Sequence, residues 1–227
     1  MIAASQSSTT TVHVLFHGIG RPGPGVAAED EPYFVSRDLM LAVLDELRDD
    51  PLREVSFDDG YDSDVNVALP ALRERGISAR FFPLAGQLGK AGRADADGLR
   101  ELIRAGMTVG SHGMWHRPWR GMDARTCREE LIVARQMLAE AAGTPVDAAA
   151  CPFGAYDRGS LKALREQHYG MVFTSDRRRA RRGSWLQPRY SVRRGDTLQT
   201  VREQILTEPP ARQQALGALA GRLKAWR

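Results

Sequence analysis

The chain of 227 residues has only two cysteines, Cys127 and Cys151. They are far apart and match neither a disulfide framework nor a metal-ligand spacing, so both read as reduced thiols in or near the core. No apolar run approaches the ~20 residues that a spanning helix needs, so no membrane span is expected. Residues 1–10 are rich in Ser and Thr and lack a basic segment followed by an apolar stretch; they read as a disordered tail without a signal peptide, and the expected location is cytoplasmic. The formal charge is +4, but much of the excess is one arginine run, 177–182. Interleaved aromatics and a helical basic stripe are both missing, and their absence argues against a nucleic-acid partner. The run itself reads as a solvated loop, open to contact with a phosphate-linked or otherwise anionic substrate.

What is present is a rhythm of short apolar runs and helical periodicities. Residues 11–16 (TVHVLF) read as a buried strand that ends at His17 and Gly18. Ser36 then caps a helix carrying Leu39, Met40, Val43, Leu44 and Leu47, and Asp-Asp-Pro stops it. Strands follow at 54–57, 77–82, 107–110, 146–151, 171–174 and 186–192, separated by helices over 65–75, 97–104, 123–142, 160–167 and 197–206. A final amphipathic helix carrying Leu216, Leu219 and Leu223 is expected to pack on the domain within 207–227. Such alternation implies a mainly parallel sheet, and this many units in one domain points to a β/α barrel that is closed or nearly so.

The chemistry-bearing residues fall at the C-terminal ends of the expected strands: His17, the pair Asp58-Asp59, His112 with His116, and the turn 152–154. That rim is where parallel α/β folds assemble sites. Adjacent carboxylates repel one another and call for a cation. Two histidines four apart plus a carboxylate make a set of N and O ligands suited to zinc or another divalent metal. As an isolated string, Asp-Asp-Gly is most often a turn; the strand before it and the histidines after it favour a site.

Ser-Phe-Asp-Asp-Gly at 56–60, His-Gly-Met-Trp-His at 112–116 and Cys-Pro-Phe-Gly at 151–154 resemble the first three motifs of the polysaccharide deacetylase family, the NodB-homology domain of carbohydrate esterase family four. The connecting pieces Leu69-Pro70-Ala71-Leu72 and Ala79-Arg80-Phe81-Phe82 fit as well, and the resemblance spans roughly 11–195. It implies a distorted, incomplete (β/α) barrel of six or seven parallel strands, with the domain over 11–206. It further implies metal-dependent removal of an acetyl group from an N-acetylated sugar, glycolipid or glycoside. By position, Asp58 is the base, Asp59, His112 and His116 hold the metal, a water on that metal is the nucleophile, and the Phe153 N–H serves the oxyanion. Zinc comes first among the metals, with cobalt, nickel or manganese as alternatives.

The sequence departs from the family pattern in three places. Gly113 replaces a usual Ser or Thr, Ala150 replaces a usual arginine, and the last-motif histidine has no equivalent, since His168 reads as an exposed helix cap. Two substitutes follow as hypotheses: Arg189 orients Asp58, and His17 protonates the leaving amine or holds the acetamide. His13, in mid-strand, reads as structural. Trp115, Trp119, Tyr156 and Trp185 are candidates for a sugar-stacking wall, with core packing as the alternative. Hydrolysis of another non-peptide C–N bond, or a carbohydrate-binding barrel without turnover, remain as alternative functions.

Overall fold

The computed structural model describes residues 10–23 and 26–226. The expected tail therefore lies outside the described residues except for Thr10, which opens β1 (Thr10–Phe16). The chain continues through α1 (Arg37–Leu47), β2 (Arg53–Asp59), a π-type turn at Asp64–Ala68 leading into α2 (Leu69–Arg75), β3 (Ala79–Pro83), α3 (Ala96–Arg104) and β4 (Thr108–Val109). Next, α4 (Ala124–Cys127) runs through a π-type turn at Arg128–Val133 into α5 (Ala134–Ala142), followed by β5 (Ala148–Ala150), α6 (Arg158–Glu166) and β6 (Met171–Thr174). Three short strands, β7 (Ala180–Arg181), β8 (Leu186–Pro188) and β9 (Tyr190–Ser191), precede α7 (Leu198–Val201), a π-type turn at Arg202–Leu206, and α8 (Ala211–Trp226).

Local sequence explains most boundaries. The Ser36 hydroxyl accepts the Leu39 N–H at the start of α1, and Asp95, Asp123 and Asp157 cap α3, α4 and α6 in the same way. Gly76 and Gly143 close their helices in the left-handed region that glycine enters without penalty.

Two arcs of parallel strands build the frame. One has the order β4-β3-β2-β1, with β9 also parallel to β1; the other has the order β5-β6-β8. A parallel bridge from Ser111 to Ala149 links them on one side. On the other side the chain itself crosses over, with Pro188 paired to Thr174 of the second arc and Tyr190 to Val14 of the first. The result is a distorted barrel, and no closed ladder is formed among the described residues.

Phe16, Phe57 and Phe81 on neighbouring strands stack at 5.5 and 4.9 Å between ring centres and are fully buried. Each such burial is worth roughly 1.5–3 kcal/mol, which explains why these strands read as apolar runs.

Three expectations are corrected. The run 177–182 is not wholly loop, because Ala180 and Arg181 pair antiparallel with Thr11 and Thr10. The strand expected over 186–192 is two strands, broken at Arg189 where the chain changes sheets. Finally, Leu216, Leu219 and Leu223 point outward, at 69%, 54% and 58% exposure. α8 docks instead through Gly217 and Gly221, whose missing side chains leave room for Arg178, and through the ion pair of Lys224 with Asp176. Among the described residues no helix is long and apolar enough to cross a membrane.

Candidate functional site

β2 delivers Asp58 and Asp59 at its C-terminal end. Adjacent strand residues ordinarily point to opposite faces, but Asp59 takes φ 75, so the alternation breaks and both carboxylates approach His112. Its Nε2 lies 3.8 Å from Asp58 Oδ2 and 3.5 Å from Asp59 Oδ1. Gly60 permits the turn, since a Cβ there would sit 2.6 Å from the Pro83 side chain.

His112 follows β4 and donates its Nδ1–H to the Ala150 carbonyl at 2.9 Å, which leaves Nε2 with its lone pair facing the carboxylates. Burial pushes its pKa down to about 3. His116, at φ 59, places Nε2 3.6 Å from Asp59 Oδ1. Five described non-glycine residues have left-handed φ, namely Asp59, His116, Phe153, His168 and Arg177. All but His168 surround this site, and strain concentrated there marks geometry held for a purpose.

The two carboxylates have different partners. Arg189 grips Asp58 with both arms, Nη1 to Oδ1 and Nη2 to Oδ2 at 2.7 Å each, while Nη1 also donates to Ser56 Oγ at 2.9 Å. Burial alone would raise the Asp58 pKa; Arg189, with help from His112, outweighs it and holds the carboxyl below its usual range. Asp59 has no such support. Its Oδ1 is buried without a hydrogen-bond partner, and burial together with the Asp58 charge pushes its pKa up to about 8.

That contrast tests the fit to a metal. An orphaned carboxylate oxygen and two imidazole nitrogens lie within 4.8 Å of one another. Their separations of 3.5 and 3.6 Å are near the ~3.4 Å that tetrahedral coordination at ~2.1 Å would give. A dication would also remove the penalty on ionising Asp59. The residues fit.

The hypothesised partners occupy the same space. Arg189 is 1% exposed, and its guanidinium lies 5.2 Å over Phe82 and 5.5 Å over Phe173, the two rings packed with Ala150. It therefore fills the region beside the position where the family's arginine is absent. His17 lines the cavity with Asp58, His112 and His116; its Nδ1 is sealed without a partner, and burial pushes its pKa down to about 4, leaving the ring neutral at pH 7. Phe153, at φ 56 and 57% exposed, packs its ring 4.2 Å from that of His116. The N–H groups of Gly154 and Ala155 turn back to the carbonyls of Cys151 and Pro152.

The expected aromatic wall is not there. Trp119 and Tyr156 are fully buried, the latter with its hydroxyl on Asp176. Trp185 donates to the Tyr169 carbonyl under Arg165, and Trp115 covers Gly86 and donates to Glu129 over a separate groove. None of the four lines the cavity of about 200 Å3 at the site. Its aromatic rim is Tyr33, 4.7 Å from the His17 ring, together with Phe153. Spacing cannot reveal which side of a loop faces inward, so Tyr33, in the connection between β1 and α1, gave no signal.

Glu130 was missed as well, although an acid beside Leu131 inside an apolar helix face was a visible anomaly. Fully buried, it accepts the N–H groups of Met114 and Trp115 at 2.8 and 3.3 Å and so holds the loop between the histidines. Gly113, at φ 84, leaves room for it: a Cβ there would lie 2.2 Å from Glu130 Oε2. The missing hydroxyl of this loop thus has a carboxylate in its stead.

Comparison with known proteins bears on the family and the fold. The profile of the family described as Polysaccharide deacetylase matches residues 48–172. YxkH of Bacillus subtilis (strain 168), whose name assigns it to the polysaccharide deacetylases, is 23% identical over 139 residues, or 61% of this chain. The match spans half the length of that relative. Among solved structures, the Streptococcus pyogenes deacetylase PplD in complex with acetate superimposes with a TM-score of 0.75 at 18% identity, covering 88% of this chain and 99% of that one. IcaB from Ammonifex degensii gives 0.71 at 23% identity, covering 87% and 97%. At such identities the structural likeness speaks for the fold.

Proposed function

Because the chain belongs to the polysaccharide deacetylase family, we propose that it is a metal-dependent hydrolase that removes an acetyl group from the nitrogen of an N-acetylated sugar. The observation that carries this reading is the unequal treatment of two neighbouring acids: Asp58 is locked to Arg189 through both oxygens, while Asp59 Oδ1 is orphaned opposite two imidazoles.

Asp59, His112 and His116 would hold a divalent cation, zinc first, which supplies Lewis-acid polarisation and lowers the pKa of water beside it. Asp58, kept ionised by Arg189, accepts the proton of the attacking water. Arg189 also fixes which way the carboxylate faces and so acts as a positioning residue. The Phe153 N–H donates to the oxygen of the acetamide as charge develops on it. His17, neutral at rest and beside Asp58, orients the acetamide, and the proton that Asp58 takes from the water passes through its ring to the departing amine, which restores the carboxylate and the neutral imidazole. These steps break the amide C–N bond and release acetate and the free amino sugar.

The test is acetate release from a panel of N-acetylated sugars by the zinc-loaded protein, the chelated protein, and Asp58→Asn. Release should vanish with chelator and return with zinc, and Asp58→Asn should lower it by roughly 10²–10⁴-fold while zinc binding persists. Full activity in Asp58→Asn would overturn the base assignment. Zinc binding without release from any sugar would leave a carbohydrate-binding barrel.

A further inference from the structure

Two cations at the cavity mouth have no part in the chemistry above. Arg177, the first residue of the arginine run, takes φ 50 and donates Nη1–H to the Ser191 carbonyl at 3.1 Å. Arg193 lies two residues beyond Ser191, with its guanidinium carbon 5.1 Å from the centre of the Tyr33 ring. Both line the cavity that holds Asp58, His112 and His116.

Each guanidinium is positioned, yet among the described residues neither forms an ion pair. The acids nearby are engaged elsewhere: Asp176 with Lys224, and Glu31 with Arg194. Asp30 lines the same cavity, yet among the described residues it forms no ion pair with either guanidinium. Two like charges held beside one cavity without a counterion repel each other and await an anion.

We propose that Arg177 and Arg193 form a phosphate subsite, so that the substrate is an N-acetylated sugar carrying a phosphate ester, bound with that phosphate at the two guanidinium groups while its acetamide faces Asp58. The choice of phosphate over carboxylate follows from donor geometry. One guanidinium fork saturates a carboxylate, as Arg189 does for Asp58. Two forks from separate segments match the several unesterified oxygens of a phosphate. Arg177 also borders a groove of about 1110 Å3 between the arginine run and α8, with Arg178, Arg179 and Tyr190 on its wall.

This assignment rests on the deacetylase reading, and the experiment separates the two. Acetate release and calorimetric binding are measured with the zinc-loaded protein on N-acetylglucosamine, its 1- and 6-phosphates, and N-acetylmuramic acid as the carboxylate control. A phosphorylated sugar should exceed the neutral one by about tenfold or more in kcat/KM, mainly through KM. The preference should shrink as NaCl rises from about 50 to about 500 mM, and fall about tenfold in the Arg177→Gln/Arg193→Gln double variant. Arg177→Lys and Arg193→Lys keep the charge without the fork and should fall between. A charged-to-neutral ratio near one, a ratio unchanged in the double variant, or an equal preference for N-acetylmuramic acid would overturn the phosphate subsite. If no sugar yields acetate, the deacetylase reading fails by itself, and the calorimetric ratio still decides the subsite. Circular dichroism of each variant shows whether it folds.

Discussion

At the scale of single residues, the site depends on one guanidinium. Arg189 sits at the break between β8 and β9, buried to 1% exposure, with four side-chain hydrogen bonds shared among Asp58, Ser56 and Thr174. Replacing it with Gln leaves Asp58 buried without a charge partner, which should cost about 3–5 kcal/mol in urea unfolding. The same variant should lower kcat/KM by about 100-fold while zinc affinity changes little, because Asp59, His112 and His116 remain. Unchanged turnover would remove Arg189 from the mechanism.

His13 offers a residue-scale effect on stability. It is buried in β1, with Nε2 2.9 Å from Gln187 Oε1 and Nδ1 3.6 Å from Glu54 Oε2. Burial, the largest influence, lowers its pKa against the pull of Glu54 and Gln187, and Arg189 and Arg80 act in the same sense as burial. An unfolded chain takes up this proton as pH falls through about 6.5, whereas the folded one resists until lower pH. Stability from His13 is therefore complete above about 6.5 and declines below it. The expected readout is the urea-unfolding free energy between about pH 7.5 and about pH 5.5. His13→Gln should show the shallower slope, whatever its absolute stability, and parallel slopes would refute the account.

At the scale of elements, the loop between His112 and His116 is held from beneath by the helix segment at Arg128–Val133. Glu130 reaches up from it to the Met114 and Trp115 N–H groups, and Gly113 clears the way at φ 84. Gly113→Ser restores the residue type the family usually carries, so pattern alone would predict improvement. The structure predicts the reverse, since the new Cβ would meet Glu130 Oε2 and the left-handed backbone costs about 1–2 kcal/mol more. Zinc affinity should fall about 10–100-fold in Gly113→Ser and in Glu130→Ala, measured by competition with a chromogenic chelator. Tighter zinc binding in Gly113→Ser would show that the loop is not held this way.

For the whole molecule, α8 is tied to the barrel by few side chains. Its leucines face outward, and the ion pair of Lys224 with Asp176 is its polar anchor among the described residues. Asp176 also accepts from Tyr156 and Thr174, so that acid stays satisfied when Lys224 is removed. Lys224→Met should raise hydrogen exchange in 211–226 while leaving the amides of β1, β2 and β3 unchanged. Equal acceleration in the core strands would mean that α8 unfolds only with the barrel.

The sequence by itself determined the local elements, because hydrophobic period, Ser and Asp caps and glycine stops are written within a few residues of each other. It also brought Asp58, Asp59, His112 and His116 to one rim, since a parallel βα repeat sends every strand end to the same side. Tertiary structure alone decided the rest. Asp58 and Arg189 are paired across 131 positions, and only the crossing of the chain from β8 to β9 brings the guanidinium to the carboxylate. The outward face of the Leu216, Leu219 and Leu223 stripe was equally hidden, as a helical period fixes which residues share a face and says nothing about what lies opposite. Trp119 and Tyr156 are buried for the same reason: an aromatic ring near a motif fits a core as well as it fits a sugar, and packing chose the core.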